Sequence, residues 1–93
     1  MPTLPRFNTP TNITTQTSTQ VKLGPGSLYS IVVNKTAAGT VGIFDGVSGH
    51  TTNTIGTLKS SIVEGTYIFD CAFSEGLYIV TGAASDITVN WAA

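Results

Sequence analysis

The chain has 93 residues, 41% of them hydrophobic and only 10% charged, with a formal net charge of −1. That length predicts one domain, and the charge balance offers neither the basic footprint that nucleic acid requires nor a cationic face for an anionic membrane. A single cysteine, Cys71, excludes an internal disulfide and is expected as a small buried hydrophobe.

Residues 1–20 differ in composition from the rest. They hold Pro2, Pro5, Pro10 and seven threonines, with Arg6 as their only charge and Phe7 as their only aromatic. Proline removes a backbone donor and pushes its neighbour to extended backbone. The stretch is expected as an extended arm lying on a partner surface, adding backbone hydrogen bonds to a foreign sheet edge. Pro2, Pro5, Arg6, Phe7, Pro10 and Ile13 are its candidate partner contacts, and a β-sandwich domain is expected over 21–93. The start, MPTLPRFNTP, lacks a basic region followed by an apolar stretch, so no secretory leader is expected. No run approaches the roughly 20 apolar residues of a membrane helix.

Thr14–Leu23 is strand-like but polar on both faces, an edge-like first strand with Val21 and Leu23 joining the core. Gly24-Pro25-Gly26 ends it. Ser27–Asn34 (SLYSIVVN) is nearly continuous in apolar content, as in a strand covered on both faces. A turn at Asn34–Gly39 leads to the short strand Thr40–Phe44, in which Gly42 suggests a bulge or a close backbone approach. Asp45-Gly46 opens a loop to Thr52 that carries His50, the only histidine. Asp45 and His50 are its candidate contacts. A lone histidine without ligands at metal spacing is not a metal site. Asn53–Lys59 predicts a weaker strand, and Ser60–Glu64 leads through Gly65 into the last third.

There, Thr66–Phe73, Leu77–Thr81 and Asp86–Trp91 are three apolar runs divided by Ser74-Glu75-Gly76 and Gly82–Ser85. Ile87, Val89 and Trp91 alternate with Asp86, Thr88 and Asn90, the period of a half-buried strand. The polar side of this strand is available to a neighbouring subunit. Seven or eight strands with turn signals every ~8–12 residues predict an all-β, small antiparallel β-sandwich. A jelly-roll arrangement is the first choice and an immunoglobulin-like sandwich the alternative.

The residues show no catalytic pattern. Ser, His and Asp all occur, but no nucleophile elbow accompanies them. The carboxylates Asp45, Glu64, Asp70, Glu75 and Asp86 are scattered, and three adjoin glycine. They are read as turn-forming and solubilising groups rather than an acid–base pair. Gly24-Pro25-Gly26 has no lysine after it to cradle phosphate. Neither enzyme activity, a cofactor nor a metal is expected.

Two stretches carry a resemblance. Gly26–Gly46 (GSLYSIVVNKTAAGTVGIFDG) has an apolar strand, Val-Asn, a Gly-containing turn and a strand ending in aromatic-Asp-Gly. Gly65–Trp91 contains Phe73-Ser-Glu-Gly-Leu77 and Asp86-Ile-Thr-Val. In this pattern and turn placement the chain resembles small tailed-bacteriophage virion proteins, most of all capsid decoration (cement) proteins. The resemblance implies a structural protein on the outer surface of the capsid, bound to the major capsid protein and bridging its neighbouring subunits. It also implies a homo-oligomer, a trimer before a dimer, and a terminal arm reaching over the shell. The alternative is a tail, fibre or spike component with a host-surface or carbohydrate-binding role, for which the Asp45–Thr52 loop would serve. A surface of short hydroxyls suits such a clamp because it loses little on burial, and several weak attachments on one oligomer multiply into avidity.

Overall fold

Eight strands account for the alternating runs: β1 (Thr9–Ile13), β2 (Ser18–Leu23), β3 (Gly26–Lys35), β4 (Val41–Asp45), β5 (Thr54–Leu58), β6 (Gly65–Phe73), β7 (Gly76–Thr81) and β8 (Asp86–Ala92). They come from a computed structural model that describes residues 9–93. Sheet A has the order β1-β8-β3-β6, and sheet B the order β2-β7-β4-β5. Every pairing is antiparallel. The first strand pairs with the last, the second with the second-last, and so inward to β4 with β5. One long antiparallel hairpin with its tip between β4 and β5, wound over two layers, gives this order, and it is the jelly roll. The immunoglobulin-like alternative fails because it would keep the first two strands in one sheet, whereas β1 and β2 lie in different sheets.

The core lies between the sheets. Sheet A contributes Ile13, Leu28, Ile31, Val33, Phe73, Ile87 and Val89, and sheet B contributes Val41, Ile43, Leu58, Leu77 and Ile79. Each such fully buried side chain is worth about 1.5–3 kcal/mol relative to exposure. Tyr67, Phe69 and Cys71 pack on this core from β6. Burial pushes the Cys71 thiol above its usual range, with Asp70 and Asp45 adding to the shift, so the protonated, inert form is favoured. The Phe69 ring sits where a side chain on Gly56 would project, 2.8 Å from that position, and so closes the gap between edge strands β6 and β5. Close approach also explains Gly42, but what approaches is the Phe44 ring, 2.7 Å from where a Cβ would stand.

Two expectations need correction. The expected arm does not extend to residue 20. From Thr9 onward it is strand: Thr9, Thr11 and Ile13 alternate inward, and Ile13 pairs with Ile87. The Trp91 indole N–H donates to Thr11 Oγ at 3.0 Å and fastens β1 to β8. The connection between β1 and β2 is pinned by Thr81, which is 2% exposed. Its Oγ1 accepts from the Thr17 N–H at 2.9 Å and lies 2.7 Å and 3.0 Å from the Thr15 and Thr17 carbonyls to which it can donate. The second correction concerns Leu23, expected in the core: it ends β2 and is 65% exposed, whereas Val21 does pack against the core. Ser60–Glu64 forms the β5–β6 loop, where the Tyr67 hydroxyl donates to the Val63 carbonyl.

Candidate functional site

The two outer faces of the sandwich differ. On sheet B, Tyr78 points outward yet is only 6% exposed, packed against the Phe44 ring at a centroid distance of 6.5 Å. Hydrogen bonding to Ser18, and to Gly49 and Ser48 of the β4–β5 loop, holds its phenol below the ordinary value against partial desolvation. That loop therefore reaches over Tyr78, at the end of sheet B where β4 runs into it.

Among the described residues, no loop covers the outer face of sheet A in this way. Because Ile87 and Val89 point into the core, Asp86, Thr88 and Asn90 must point out. The register sets Asn12 of β1 and Val32 of β3 on either side of Thr88, and Pro10 and Ser30 on either side of Asn90. On β6, Thr66 lies beside Val32 and Ile68 beside Ser30, and Ile68 is 59% exposed. The polar members form one network. Asn12 Nδ2 donates to Asp86 Oδ1 at 2.8 Å and to the Ile87 carbonyl at 2.9 Å. From the other side, Asn34 Nδ2 donates to Asp86 Oδ1 at 3.1 Å and to Thr88 Oγ1 at 3.0 Å. Asn90 Nδ2 reaches Ser30 Oγ at 3.1 Å. Asn12, Asn34 and Lys35 hold the Asp86 carboxyl below the usual range, against a small desolvation effect. The face is a hydrogen-bonded ladder across β1, β8 and β3 rather than a pocket, and no cavity is present among the described residues.

The candidate contacts fall in different places. Pro2, Pro5, Arg6 and Phe7 lie outside the described residues. Pro10 is exposed on β1, an edge strand, where a missing N–H can face outward without breaking the ladder. Ile13 is 5% exposed and belongs to the core. A buried core side chain cannot contact a partner surface, so Ile13 is removed from the set. Asp45 binds its own chain. Its Oδ1 accepts from the N–H groups of Ser74, Glu75 and Gly76 at 3.1, 2.9 and 3.4 Å, and its Oδ2 accepts from the Ser74 N–H at 3.0 Å. The β6–β7 turn crosses from sheet A to sheet B, and this carboxylate fastens it. His50 is exposed in the β4–β5 loop, with its backbone N–H on the Val47 carbonyl. Thr88 and Asn90, the polar side of the last strand, lie in the ladder. Sequence reasoning missed their partners. Asn12 sat in the expected arm and Asn34 in a turn, and the only local sign was the polar alternation Asp86, Thr88, Asn90. Among the described residues no three His, Cys, Asp or Glu side chains are grouped so as to hold a metal ion.

Asp45 yields a measurable consequence. Partial desolvation pushes its carboxyl up, but the hydrogen bonds from Ser74, Glu75 and Gly76 outweigh it, and its pKa lies below the ordinary value. A depressed folded-state pKa stabilises above the unfolded pKa, and the gain is lost as pH falls through the folded value. Asp45→Ala is expected to cost about 1–2 kcal/mol at pH 7, as for loss of a capping carboxylate. Its deficit against wild type should shrink below pH 4, which urea titrations at pH 7 and pH 3 will show.

Compared with known proteins, the chain matches no family model, no curated protein and no solved structure.

Proposed function

We propose that this chain is a structural virion protein that decorates a tailed-bacteriophage capsid and stabilises it by bridging neighbouring capsid subunits, as a homo-oligomer on the outer surface of the shell. The observation that carries the reading is the hydrogen-bonded polar face of sheet A, which no loop among the described residues covers and whose edge strand β1 is the strand that residues 1–8 lead into. A clamp needs a broad face and a segment of chain leading off it, and residues 1–8, outside the described residues, continue from β1. The resemblance of Gly26–Gly46 and Gly65–Trp91 to small phage virion proteins supplies the biological setting. A jelly roll alone would not, since the fold hosts capsid, lectin and enzyme functions alike. The composition agrees: with 10% charged residues the surface is cheap to desolvate.

Quantitative mass spectrometry of purified virions tests the reading. Decoration requires the chain at hundreds of copies per particle, in a fixed ratio to the major capsid protein. A few copies per particle would place it on the tail or fibre and reject the proposal. Removing residues 1–8 is expected to weaken attachment to expanded capsids about tenfold or more, through lost multivalent reach, while the sandwich remains folded. Undiminished binding of that truncation would remove the arm from the mechanism.

A further inference from the structure

The ladder on sheet A has a hydrogen-bond polarity. Asn12 Nδ2 is turned onto the Asp86 carboxylate and the Ile87 carbonyl, and Asn34 Nδ2 onto the same carboxylate and the Thr88 hydroxyl. A carboxylate and a backbone carbonyl only accept, so these partners fix which end of each amide points inward. Both asparagines are exposed, and it is their amide oxygens that face outward. Asp86 Oδ1 takes both inward bonds, and none of these reaches Oδ2. The face thus presents oriented acceptors from β1, β8 and β3.

From this we infer that the outer face of sheet A is the surface that docks on the partner, and that the partner meets it with hydrogen-bond donors, arginine guanidinium groups foremost. A guanidinium is planar, carries five donors and no acceptor, and matches a row of carboxylate and amide oxygens. The inference rests on the decoration reading and names the chemistry of the capsid surface beneath the protein. Complementarity also argues against a second copy as occupant. Two such faces brought together would set outward amide and carboxylate oxygens against more of the same, which supply no donors. Lys35 is the only cation on the described strands of sheet A, and it lies beside Asp86 in register. It offsets that carboxylate, so attraction comes from oriented amide oxygens more than from net charge, and binding should weaken only shallowly with salt. The network also holds the side chains in place before docking, which lowers the ordering cost of binding.

The test uses the full chain and expanded capsids assembled without it. Thr66→Arg places a cation on this face at an exposed position outside the ladder. Asn34→Arg places one inside the ladder. Thr57→Arg, beside Gly42 on the outer face of sheet B, is the control. Thr66→Arg and Asn34→Arg are expected to weaken capsid binding about tenfold or more by setting cation against cation, with Thr57→Arg binding as wild type does. Thermal melts establish that each variant is folded, and Thr66→Arg carries the test if Asn34→Arg is not. If wild type binds and Thr66→Arg binds equally well, or if Thr57→Arg loses as much, the docking face is refuted while the decoration reading stands. If wild type itself does not bind capsids, the decoration reading falls and the inference falls with it. Wild-type self-association that Thr66→Arg abolishes would show the occupant to be a second copy and would also overturn it.

Discussion

Deletion of residues 1–20 is expected to abolish the cooperative unfolding transition, whereas deletion of residues 1–8 leaves it in place. The longer deletion removes all of β1 and the first half of β2, so it strips an edge strand from sheet A and breaks one in sheet B. Ile87 and Val89 then lose their β1 neighbours, Trp91 loses the Thr11 hydroxyl, and the buried Thr81 hydroxyl loses Thr15 and Thr17. Domains of this size hold only about 5–15 kcal/mol of net stability, and a buried polar group left unpaired costs about 1–3 kcal/mol by itself. The shorter deletion stops before Thr9 and removes none of these contacts. Near-UV circular dichroism and urea melts of the two truncations decide the matter. A cooperative transition in the longer truncation would mean that β1 and β2 are dispensable and would restore an arm of 20 residues. Capsid-binding experiments should therefore use the shorter truncation, since the longer one would lose binding through unfolding.

Ile13→Ala is expected to cost about 2–4 kcal/mol, within the range for removing a large aliphatic side chain from a core. In a domain this small, that corresponds to a fall in Tm of roughly 10–20 °C. Ile13 is 5% exposed and stacks beside Ile87, itself fully buried. Among the described residues no β-strand beyond β1 covers it from the side, so some collapse into the cavity is available, which keeps the cost below the top of the range. Differential scanning calorimetry of the variant gives the number. A Tm within 2 or 3 °C of wild type, combined with a lost partner contact, would return Ile13 to the set of contact residues.

The polar ladder makes a different demand on experiment. Asn12, Asn34, Asp86 and Thr88 are at the surface, where water competes for each hydrogen bond and its net contribution to folding is small. Their substitution should show in binding more than in melting. The Ile13 and Asn12 positions, adjacent in sequence, are thus separated by readout: Ile13 by stability and Asn12 by attachment.

Alternation is a local property, and it made most of the fold legible. Ile87, Val89 and Trp91 against Asp86, Thr88 and Asn90 fix which face of β8 is buried, and Thr66–Phe73 and Leu77–Thr81 mark β6 and β7 around the Ser74–Gly76 turn. Proline and threonine hid β1. Pro10 reads as a breaker, and Thr9, Thr11 and Asn12 carry no apolar signal, so Ile13 alone had to mark a strand. Its membership depends on Ile87 and Trp91, far along the chain, and no window of sequence contains both sides of that contact. The candidate site is non-local for the same reason: Asn12 and Asp86 are 74 residues apart and Asn34 and Asp86 are 52 apart. Asp45 shows the converse. An Asp-Gly pair announces a turn, but which turn its carboxylate fastens was decided by β4 and β7 pairing, which carries it to Ser74–Gly76. The sequence by itself determined an all-β chain, its buried strand faces and its low charge, because side-chain alternation and composition act over a few residues. Only the tertiary structure decided that residues 9–13 are the first strand of the sandwich, that Ile13 is core, and that three strands bring Asn12, Asn34 and Asp86 onto one face, because each depends on pairing β8 with strands far from it in the chain.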